Sequence, residues 1–282
     1  MLRNLIYETF IKQKREEKIL NSPFFKKPIF IVGLPRSGTS MVAGSLMNCG
    51  AWVGETVPPG KYNPKGFFEN IFLREKVNKK ILTDLNFDPT GVDSLPLLSD
   101  ISEDCIDINR IVKGIARQGY VGNSYWLFKD AKLSLTWPAY IRKFPDANWV
   151  YVRRNESDIL RSCLNTPFMS KHSTDKDFWL KWIADYIERI ELLRRESNNF
   201  FEIQDEDNVV EIDAATSYPI DQHFLTLPTP NYEESVLELI KELYNKRITN
   251  DNRFRLLAFL PSVGATTQLK DKCKIFSSNH IY

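Results

Sequence analysis

The stretch PIFIVGLPRSGTSMVAGSL (28–46) decides the fold class. It opens with a short, continuously apolar run, which is typical of a strand buried on both faces of a sheet. The turn Gly33–Gly38 follows, and a helix then begins on the hydroxyl residues Thr39 and Ser40. This order of strand, glycine-bearing turn and helix is the layout of a phosphate-binding loop.

The rest of the chain continues the alternation of strands and helices. Apolar, β-branched and aromatic runs predict further strands at 125–130, 148–154 and 208–213. Helical periodicity predicts helices at 70–82, 106–118, 175–198 and 231–246. Strands that alternate with helices join by right-handed crossovers into a parallel sheet. We therefore predict an α/β fold with three layers, in which helices flank a parallel sheet.

The domain organisation follows from the same pattern. We find no internal repeat and no low-complexity linker, so the sequence predicts one α/β domain at 28–260. A helical extension at 1–27, with Phe10 on its apolar side, precedes the domain, and a tail at 261–282 follows it. Residues 83–120, which begin without periodicity and end in a helix, are expected to form a lid-like insertion.

Composition narrows the class of protein. At 43% hydrophobic and 26% charged residues, the 282-residue chain has the composition of a soluble globular protein. A net charge of +2 is too small to predict attraction to nucleic acid or to a membrane surface. The four cysteines have no metal-ligand spacing, and the N-terminus has no apolar run for a signal peptide or membrane span. We expect a cytoplasmic protein without disulfides.

The loop favours a particular kind of phosphate ligand. Backbone N–H groups of Arg36–Ser40 are expected to face one concavity, supported by the positive end of the helix dipole. Thr39 stands where an ATP- or GTP-binding loop carries its lysine, and the basic residue Arg36 comes three positions early. Phosphoryl transfer from ATP needs Mg²⁺ and that lysine. A phosphosulfate has less charge on its transferable group, so an arginine and backbone donors suffice without a metal.

Two motifs together resemble the sulfotransferase family. GLPRSGTS (33–40) is similar to the loop with which that family binds the 5′-phosphosulfate of 3′-phosphoadenosine 5′-phosphosulfate. The family's second signature, an arginine at a strand end and a serine eight residues later, is matched by Arg154 and Ser162. The resemblance implies a sulfotransferase fold of the P-loop NTPase type. It also implies that Arg154 and Ser162 hold the 3′-phosphate and that the 5′-phosphosulfate is held by Arg36, Ser37, Gly38, Thr39 and Ser40.

The resemblance also suggests catalytic residues. Golgi-type and bacterial sulfotransferases carry a glutamate after an aromatic pair, and NPKGFFEN (63–70) supplies Glu69 as a candidate base. Lys129 fits the family's strand-end lysine and is expected, with Arg36, to stabilise the leaving group. Asp130 and His172 are alternative bases. Glu69 would otherwise only cap the helix that follows it.

Two other functions stay open at this point. A phosphotransferase with an atypical loop would need a Mg²⁺ ligand at a strand end, such as Asp130 or Asp213. A catalytically inactive nucleotide-binding module would keep the loop and lose the base. Trp52 and Trp137 are candidates for an adenine pocket, although core packing explains both more simply. The acceptor, a small molecule or a glycan, would meet the loops at 55–68, 83–103 and 165–178.

Overall fold

The computed structural model describes residues 2–61, 63–64 and 66–205, with the backbone alone at 2–9 and 204–205. Several predictions concern residues outside this part of the chain. They are the strand at 208–213, the helix at 231–246, the tail at 261–282 and the metal-ligand candidate Asp213.

Four parallel strands form the sheet. They are β1 (Ile29–Val32), β2 (Leu127–Lys129), β3 (Asn148–Arg154) and β4 (Asn199–Asp205), arranged in the order β2–β1–β3–β4. The chain leaves β1 towards one edge of the sheet and leaves β3 towards the other. Such a reversal opens a crevice at the carboxyl ends of the two central strands, where ligands of α/β folds bind. The loop after β1 and the arginine that ends β3 therefore meet at this crevice.

Side chains of the strands alternate between two apolar clusters, one on each face of the sheet. Ile29 and Ile31 pack with Val42 and Leu46 of the helix after the loop. Phe30 and its neighbours face the opposite cluster, which contains the helices after β2 and β3. Helices cover both faces, so the predicted three-layer α/β architecture is confirmed.

The described helices surround this sheet. They are α1 (Leu2–Asn21), α2 (Pro23–Lys26), α3 (Thr39–Asn48), α4 (Lys79–Asp84), α5 (Ile108–Arg117), α6 (Leu133–Ile141), α7 (Glu156–Asn165), α8 (Pro167–Ser170) and α9 (Lys176–Glu196). A π-helix at Leu73–Asn78 runs directly into α4, and short 3₁₀ turns lie at Leu98–Asp100 and Glu103–Cys105.

Helix α1 lies within the segment 1–27 that the sequence predicts as a helical extension, and its last turns attach it to the domain. Ile19 is fully buried, and Arg15 donates a hydrogen bond of 3.0 Å to the carbonyl of Tyr120. Phe10 is 53% exposed, so its place on the apolar side of the helix does not bring it into the core.

Candidate active site

The loop after β1 is tightly wound against β3. A Cβ atom added to Gly33 would lie 2.7 Å from the hydroxyl of Ser37 and 2.9 Å from the carbonyl oxygen of Val152 in β3. Arg36 has a φ of 75°, and Gly38, at the N-cap of α3, has a φ of 88°. Only glycine fits the first position, because any side chain there would separate the loop from β3.

The amino end of α3 offers hydrogen-bond donors to a ligand. No side chain caps this end of the helix, and the first N–H groups of a helix have no carbonyl partner within it. The hydroxyl of Ser37 is completely buried and has no hydrogen-bond partner among the described residues. A group with several acceptor oxygens would satisfy these donors, and the helix dipole favours an anion at this position.

The predicted 3′-phosphate residues lie directly beside this loop. The Nε atom of Arg36 donates a hydrogen bond of 2.9 Å to the hydroxyl of Ser162. The Nη1 atom of Arg154 donates one of 2.6 Å to the carbonyl of Arg36. Burial lowers the pKa of Arg36, and the neighbouring charge of Arg154 lowers it further. The loop and the end of β3 thus form one positively charged cluster.

A second cluster lies at the other end of the loop and contains Lys129 and Glu69. The ammonium group of Lys129, which is only 4% exposed, lies 2.8 Å from Glu69 Oε1 and 3.2 Å from the hydroxyl of Ser40. The other oxygen, Glu69 Oε2, forms an ion pair of 3.1 Å with Nε of Arg74, without hydrogen-bond alignment. Glu69 therefore lies between two cations, one of which also contacts the loop.

The backbone of Glu69 is fixed by a short antiparallel pairing. Its carbonyl accepts a hydrogen bond of 2.9 Å from Val57, and Ile71 donates one of 2.9 Å to the carbonyl of Glu55. Phe68, with a positive φ of 54°, packs its ring against Gly44 of α3. Backbone strain of this kind is kept where the surrounding structure enforces it, often at functional sites.

Asn70, and not Glu69, caps the next helical segment. The Oδ1 atom of Asn70 accepts a hydrogen bond of 3.0 Å from the N–H of Leu73. The amide NH₂ group of Asn70 donates a hydrogen bond of 2.8 Å to the carbonyl of Val53. Glu69 is consequently not needed for the cap, and the reading in which it only caps a helix is wrong.

Two further residues at the site were missed by the sequence analysis. Asn63 donates a hydrogen bond of 3.1 Å from its side chain to the hydroxyl of Ser40. Arg74 lies at the start of the π-helix, in which the N–H of Lys79 bonds to the carbonyl of Arg74 five residues earlier. Asn63 begins the quoted stretch NPKGFFEN and lies in the loop at 55–68 that was expected to face the acceptor, but it was given no role of its own, and no motif marks Arg74.

Asp130, the alternative base, belongs to a buried polar network. Its Oδ1 lies 2.7 Å from the ammonium of Lys132, and its Oδ2 accepts a hydrogen bond of 3.1 Å from the side-chain amide of Asn78. Burial alone would raise the pKa of Asp130, but the charge of Lys132 and these hydrogen bonds hold it below its usual value. The described contacts give Asp130 a structural role in the turn after Lys129.

Replacing Asp130 with asparagine should mainly destabilise the protein, because Lys132 would keep a buried charge without its partner. We expect a loss of about 3–5 kcal/mol in the free energy of unfolding at neutral pH, measured by urea denaturation. A lowered native pKa stabilises the fold above the pKa of the unfolded aspartate, about 4. The difference in unfolding free energy between the wild type and the variant should therefore become smaller as the pH falls below that value.

A matched control is Asp84→Asn, because Asp84 pairs with Lys80 on the surface of α4. We expect it to change the unfolding free energy by no more than about 0.5 kcal/mol. An Asp130→Asn protein that is as stable as the wild type but inactive would assign Asp130 to the chemistry instead.

The other predicted site candidates have contacts of their own. His172 lies with its Nδ1 2.9 Å from the carboxylate of Asp93, joining the segments 165–178 and 83–103. The ring of Trp52 packs against that of Tyr120 in a tilted arrangement, with centroids 5.0 Å apart, and Trp137 donates a hydrogen bond of 3.1 Å to the carbonyl of Arg189. Both tryptophans thus contribute to packing.

The buried cysteines are poor nucleophiles. Burial raises the pKa of Cys49 to about 12. It also raises the pKa of Cys163 to about 12, although the charge of Arg36 opposes the shift. Neither thiol is therefore ionised near neutral pH.

The described part of the chain shows neither a membrane-spanning helix nor a cluster of metal-binding side chains. None of the described helices combines the length and apolar character needed to cross a membrane. No group of three or more histidine, cysteine, aspartate or glutamate residues suited to a metal ion occurs within the same part of the chain.

Comparison with known proteins gives one clear match. The sequence model described as "Sulfotransferase family" matches residues 28–213. No curated protein matches the chain. Among solved structures it is similar to sulfotransferase STF1 from Mycobacterium tuberculosis H37Rv, at 13% identity and a TM-score of 0.41 over 93% of this chain and 80% of that one. Sulfotransferase STF9 from Mycobacterium avium has 14% identity and a TM-score of 0.41, over 98% and 81%. Similarity at this level carries no argument about the reaction.

Proposed function

Because the chain belongs to the sulfotransferase family, we propose that it transfers a sulfuryl group from 3′-phosphoadenosine 5′-phosphosulfate to a hydroxyl or amine. The enzyme would act without a metal, with Glu69 as the base. The observation that carries this proposal is the contact between the loop and the strand-end pair, in which Arg36 donates 2.9 Å to Ser162. In this proposal the loop and the strand-end pair are two anion-binding groups beside one crevice, as a nucleotide phosphorylated at two positions requires.

The residues present fit such a donor. The buried hydroxyl of Ser37 has no hydrogen-bond partner among the described residues, and the N–H groups of Gly38, Thr39 and Ser40 lie at the amino end of α3. We assign this part of the loop to the 5′-phosphosulfate. Arg154 and Ser162 are assigned to the 3′-phosphate, since a guanidinium group and a hydroxyl both donate to phosphate oxygens.

In the proposed reaction the acceptor oxygen or nitrogen forms a bond to sulfur while the bond from sulfur to the 5′-phosphate oxygen breaks. Adenosine 3′,5′-bisphosphate leaves, and the proton of the acceptor passes to the carboxylate of Glu69. The carboxylate is suited to this role because its two oxygens are oriented by Lys129 and Arg74. A fixed base avoids the entropic cost of finding the productive geometry.

Lys129 lies between the proposed base and the loop that would hold the leaving group. Its ammonium contacts both Glu69 and the hydroxyl of Ser40. When Glu69 accepts a proton it loses its negative charge, and its attraction for Lys129 weakens. The ammonium then becomes available to the negative charge that develops on the leaving phosphate, which a buried cation stabilises strongly.

The two alternatives have less support. A phosphotransferase needs an acidic ligand for Mg²⁺, and Asp130 is already bonded to Lys132 and Asn78. An inactive nucleotide-binding module gives no reason for Glu69 to be held between Lys129 and Arg74, since Asn70 provides the cap. We also propose a cytoplasmic location and a small-molecule or glycan acceptor, with no nucleic-acid partner.

Turnover of ³⁵S-labelled donor tests this function. The protein is incubated in EDTA with the labelled phosphosulfate and a panel of alcohols, phenols, sugars and amines. We expect label to appear in at least one acceptor, together with an equal amount of adenosine 3′,5′-bisphosphate. Transfer of ³²P from γ-labelled ATP, dependent on Mg²⁺ and without any ³⁵S transfer, would overturn the proposal.

A further inference from the structure

The proposed base, Glu69, is followed directly by the completely buried residue Asn70. The side chain of Asn70 donates a hydrogen bond of 2.8 Å to the carbonyl of Val53 and accepts one of 3.0 Å from the N–H of Leu73. Its backbone carbonyl accepts a hydrogen bond of 2.9 Å from the N–H of Arg74. Asn70 therefore fixes both the proposed base beside it and the start of the helical segment that carries Arg74, the ion-pair partner of Glu69.

Gln118, which directly follows α5, binds Asn70 from another element of the fold. Its Oε1 atom accepts hydrogen bonds of 2.7 Å from the side chain of Asn70 and 2.8 Å from the N–H of Glu55. Its Nε2 atom donates one of 3.3 Å to Oδ1 of Asn70. The backbone N–H of Glu55 can only donate, so it determines which end of the Gln118 amide faces it. Because Glu55 and Asn70 belong to opposite strands of the short antiparallel pairing, Gln118 joins these two strands.

Two glycines allow this close approach. Gly54 has a φ of 73°, and a Cβ atom added to it would lie 2.3 Å from Oε1 of Gln118 and 2.5 Å from Nδ2 of Asn70. Gly114 of α5 faces the ring of Phe72, which would lie 2.0 Å from a Cβ atom added there. The end of α5 and the segment around Asn70 are thus packed closely at two points, and a side chain at either glycine would separate them.

We propose that Gln118 is a positioning residue, which holds the carboxylate of Glu69 in its productive place by fixing Asn70. The inference rests on the proposed function, in which Glu69 is the base. The hydrogen bonds of the Gln118 side chain go to Asn70 and Glu55, so its effect on Glu69 passes through the backbone. A base must lie within hydrogen-bond reach of the proton that it accepts, and a displacement of about 1 Å can cost about 100-fold in rate.

A double-mutant cycle with the ³⁵S-labelled donor tests the inference. Gln118→Met keeps about the length of the side chain and removes its amide, and Gln118→Ala is a second variant. The kcat is expressed per site that binds adenosine 3′,5′-bisphosphate, counted by calorimetry, so unfolded protein does not affect it. We expect both variants to lower kcat by about 10- to 100-fold. The Kd of the bisphosphate should stay within about threefold of the wild type.

The second half of the cycle repeats both substitutions in the Glu69→Gln protein. We expect each to lower kcat there by less than about twofold, because the base that Gln118 positions has already been removed. Residues that act through one another lose this additivity, whereas independent residues keep it. A purely structural role of Gln118 would lower kcat by the same factor in both backgrounds.

Ser22→Ala is the control for a general loss of stability. Ser22 is buried at the N-cap of α2, where its hydroxyl accepts a hydrogen bond from the N–H of Phe24 and donates one of 2.6 Å to the carbonyl of Gly122. Loss of such a cap should lower the urea midpoint of unfolding. We expect the kcat per binding site of this variant to stay within about twofold of the wild type.

The possible outcomes separate the inference from the function on which it rests. Equal losses from the Gln118 substitutions with and without Glu69, or no loss in the wild-type background, would show that Gln118 does not position the base. If Glu69→Gln has the kcat of the wild type, Glu69 is not the base, and the inference fails while sulfuryl transfer stands. Failure of the wild type to transfer ³⁵S to any acceptor would refute the proposed function, and with it the inference.

Discussion

Glu69→Gln is expected to lower the turnover of the labelled donor by about 10²- to 10⁴-fold, the usual contribution of a general base. Glutamine keeps the shape of the side chain but does not accept a proton near neutral pH. Binding of adenosine 3′,5′-bisphosphate should weaken by less than about threefold, because the carboxylate contacts Lys129 and Arg74 and not the loop backbone. The measurement is steady-state kinetics with ³⁵S-labelled donor, together with calorimetry.

The control for this variant is Glu75→Gln. Glu75 is the nearest comparable carboxylate, because it also contacts Arg74, at 3.3 Å, and pairs with Lys79. It lies at the surface, with 35% of its side chain exposed, so we expect turnover within about threefold of the wild type. Equal losses in the two variants would show that disturbing Arg74 is what matters, and Glu69 would lose its role as base.

Arg154→Ala is expected to weaken the binding of adenosine 3′,5′-bisphosphate by about 30-fold or more. Removing one partner of a buried, hydrogen-bonded charge pair costs about 2–5 kcal/mol. Arg154 also donates a hydrogen bond to the carbonyl of Arg36, so the variant loses a contact that fixes the loop as well as the proposed phosphate contact. Calorimetric titration of the bisphosphate in EDTA measures the change.

The neighbouring residue provides the matched control. Arg153 is the preceding residue of β3, but its side chain is 48% exposed and pairs with Glu202 on β4. Because strand residues alternate in direction, Arg153 points away from its neighbour. Arg153→Ala should bind the bisphosphate within about twofold of the wild type. Similar losses in both variants would indicate a general effect of positive charge, and the assignment of a specific site at the end of β3 would be wrong.

The sequence was sufficient for the core of the fold. The run IFIV is apolar at every position, so it was recognisable as the buried strand β1, and NWVYVRR matched β3 residue for residue. Because β3 ends at Arg154, this residue lies at the end of the strand, beside the loop. Local patterns of this kind are reliable where a strand is buried on both faces.

The fourth strand was missed for a physical reason. The sequence analysis continued the helix to residue 198, whereas α9 ends at Glu196 and β4 begins at Asn199. In β4 the polar residues Glu202 and Gln204 alternate with Phe201 and Ile203, which gives a weaker signal than a continuous apolar run. β4 is a strand because it pairs with β3, which is distant from it in the sequence, and a local pattern does not reveal such a pairing.

The site was predictable in its motifs and not in its contacts. The loop, Glu69 and Lys129 were recognisable as candidates because the loop follows an apolar strand, Glu69 follows an aromatic pair and Lys129 ends a strand. The contacts of Asn63 with Ser40 and of Arg74 with Glu69 were not predicted, because tertiary packing brings these partners together. The π-helix that carries Arg74 has no local signature, and it is next to Phe72, whose ring lies 2.0 Å from a Cβ atom added to Gly114. The contact between that ring and α5 arises from tertiary packing, so a local sequence pattern does not predict it.

The most direct test of the account is a calorimetric titration of adenosine 3′,5′-bisphosphate into the wild-type protein, with EDTA and again with Mg²⁺, beside a titration of ATP with Mg²⁺. The account predicts one site per chain for the bisphosphate, with the same Kd in EDTA and in Mg²⁺, and weaker binding of ATP. Binding of ATP that requires Mg²⁺, with no binding of the bisphosphate, would contradict it.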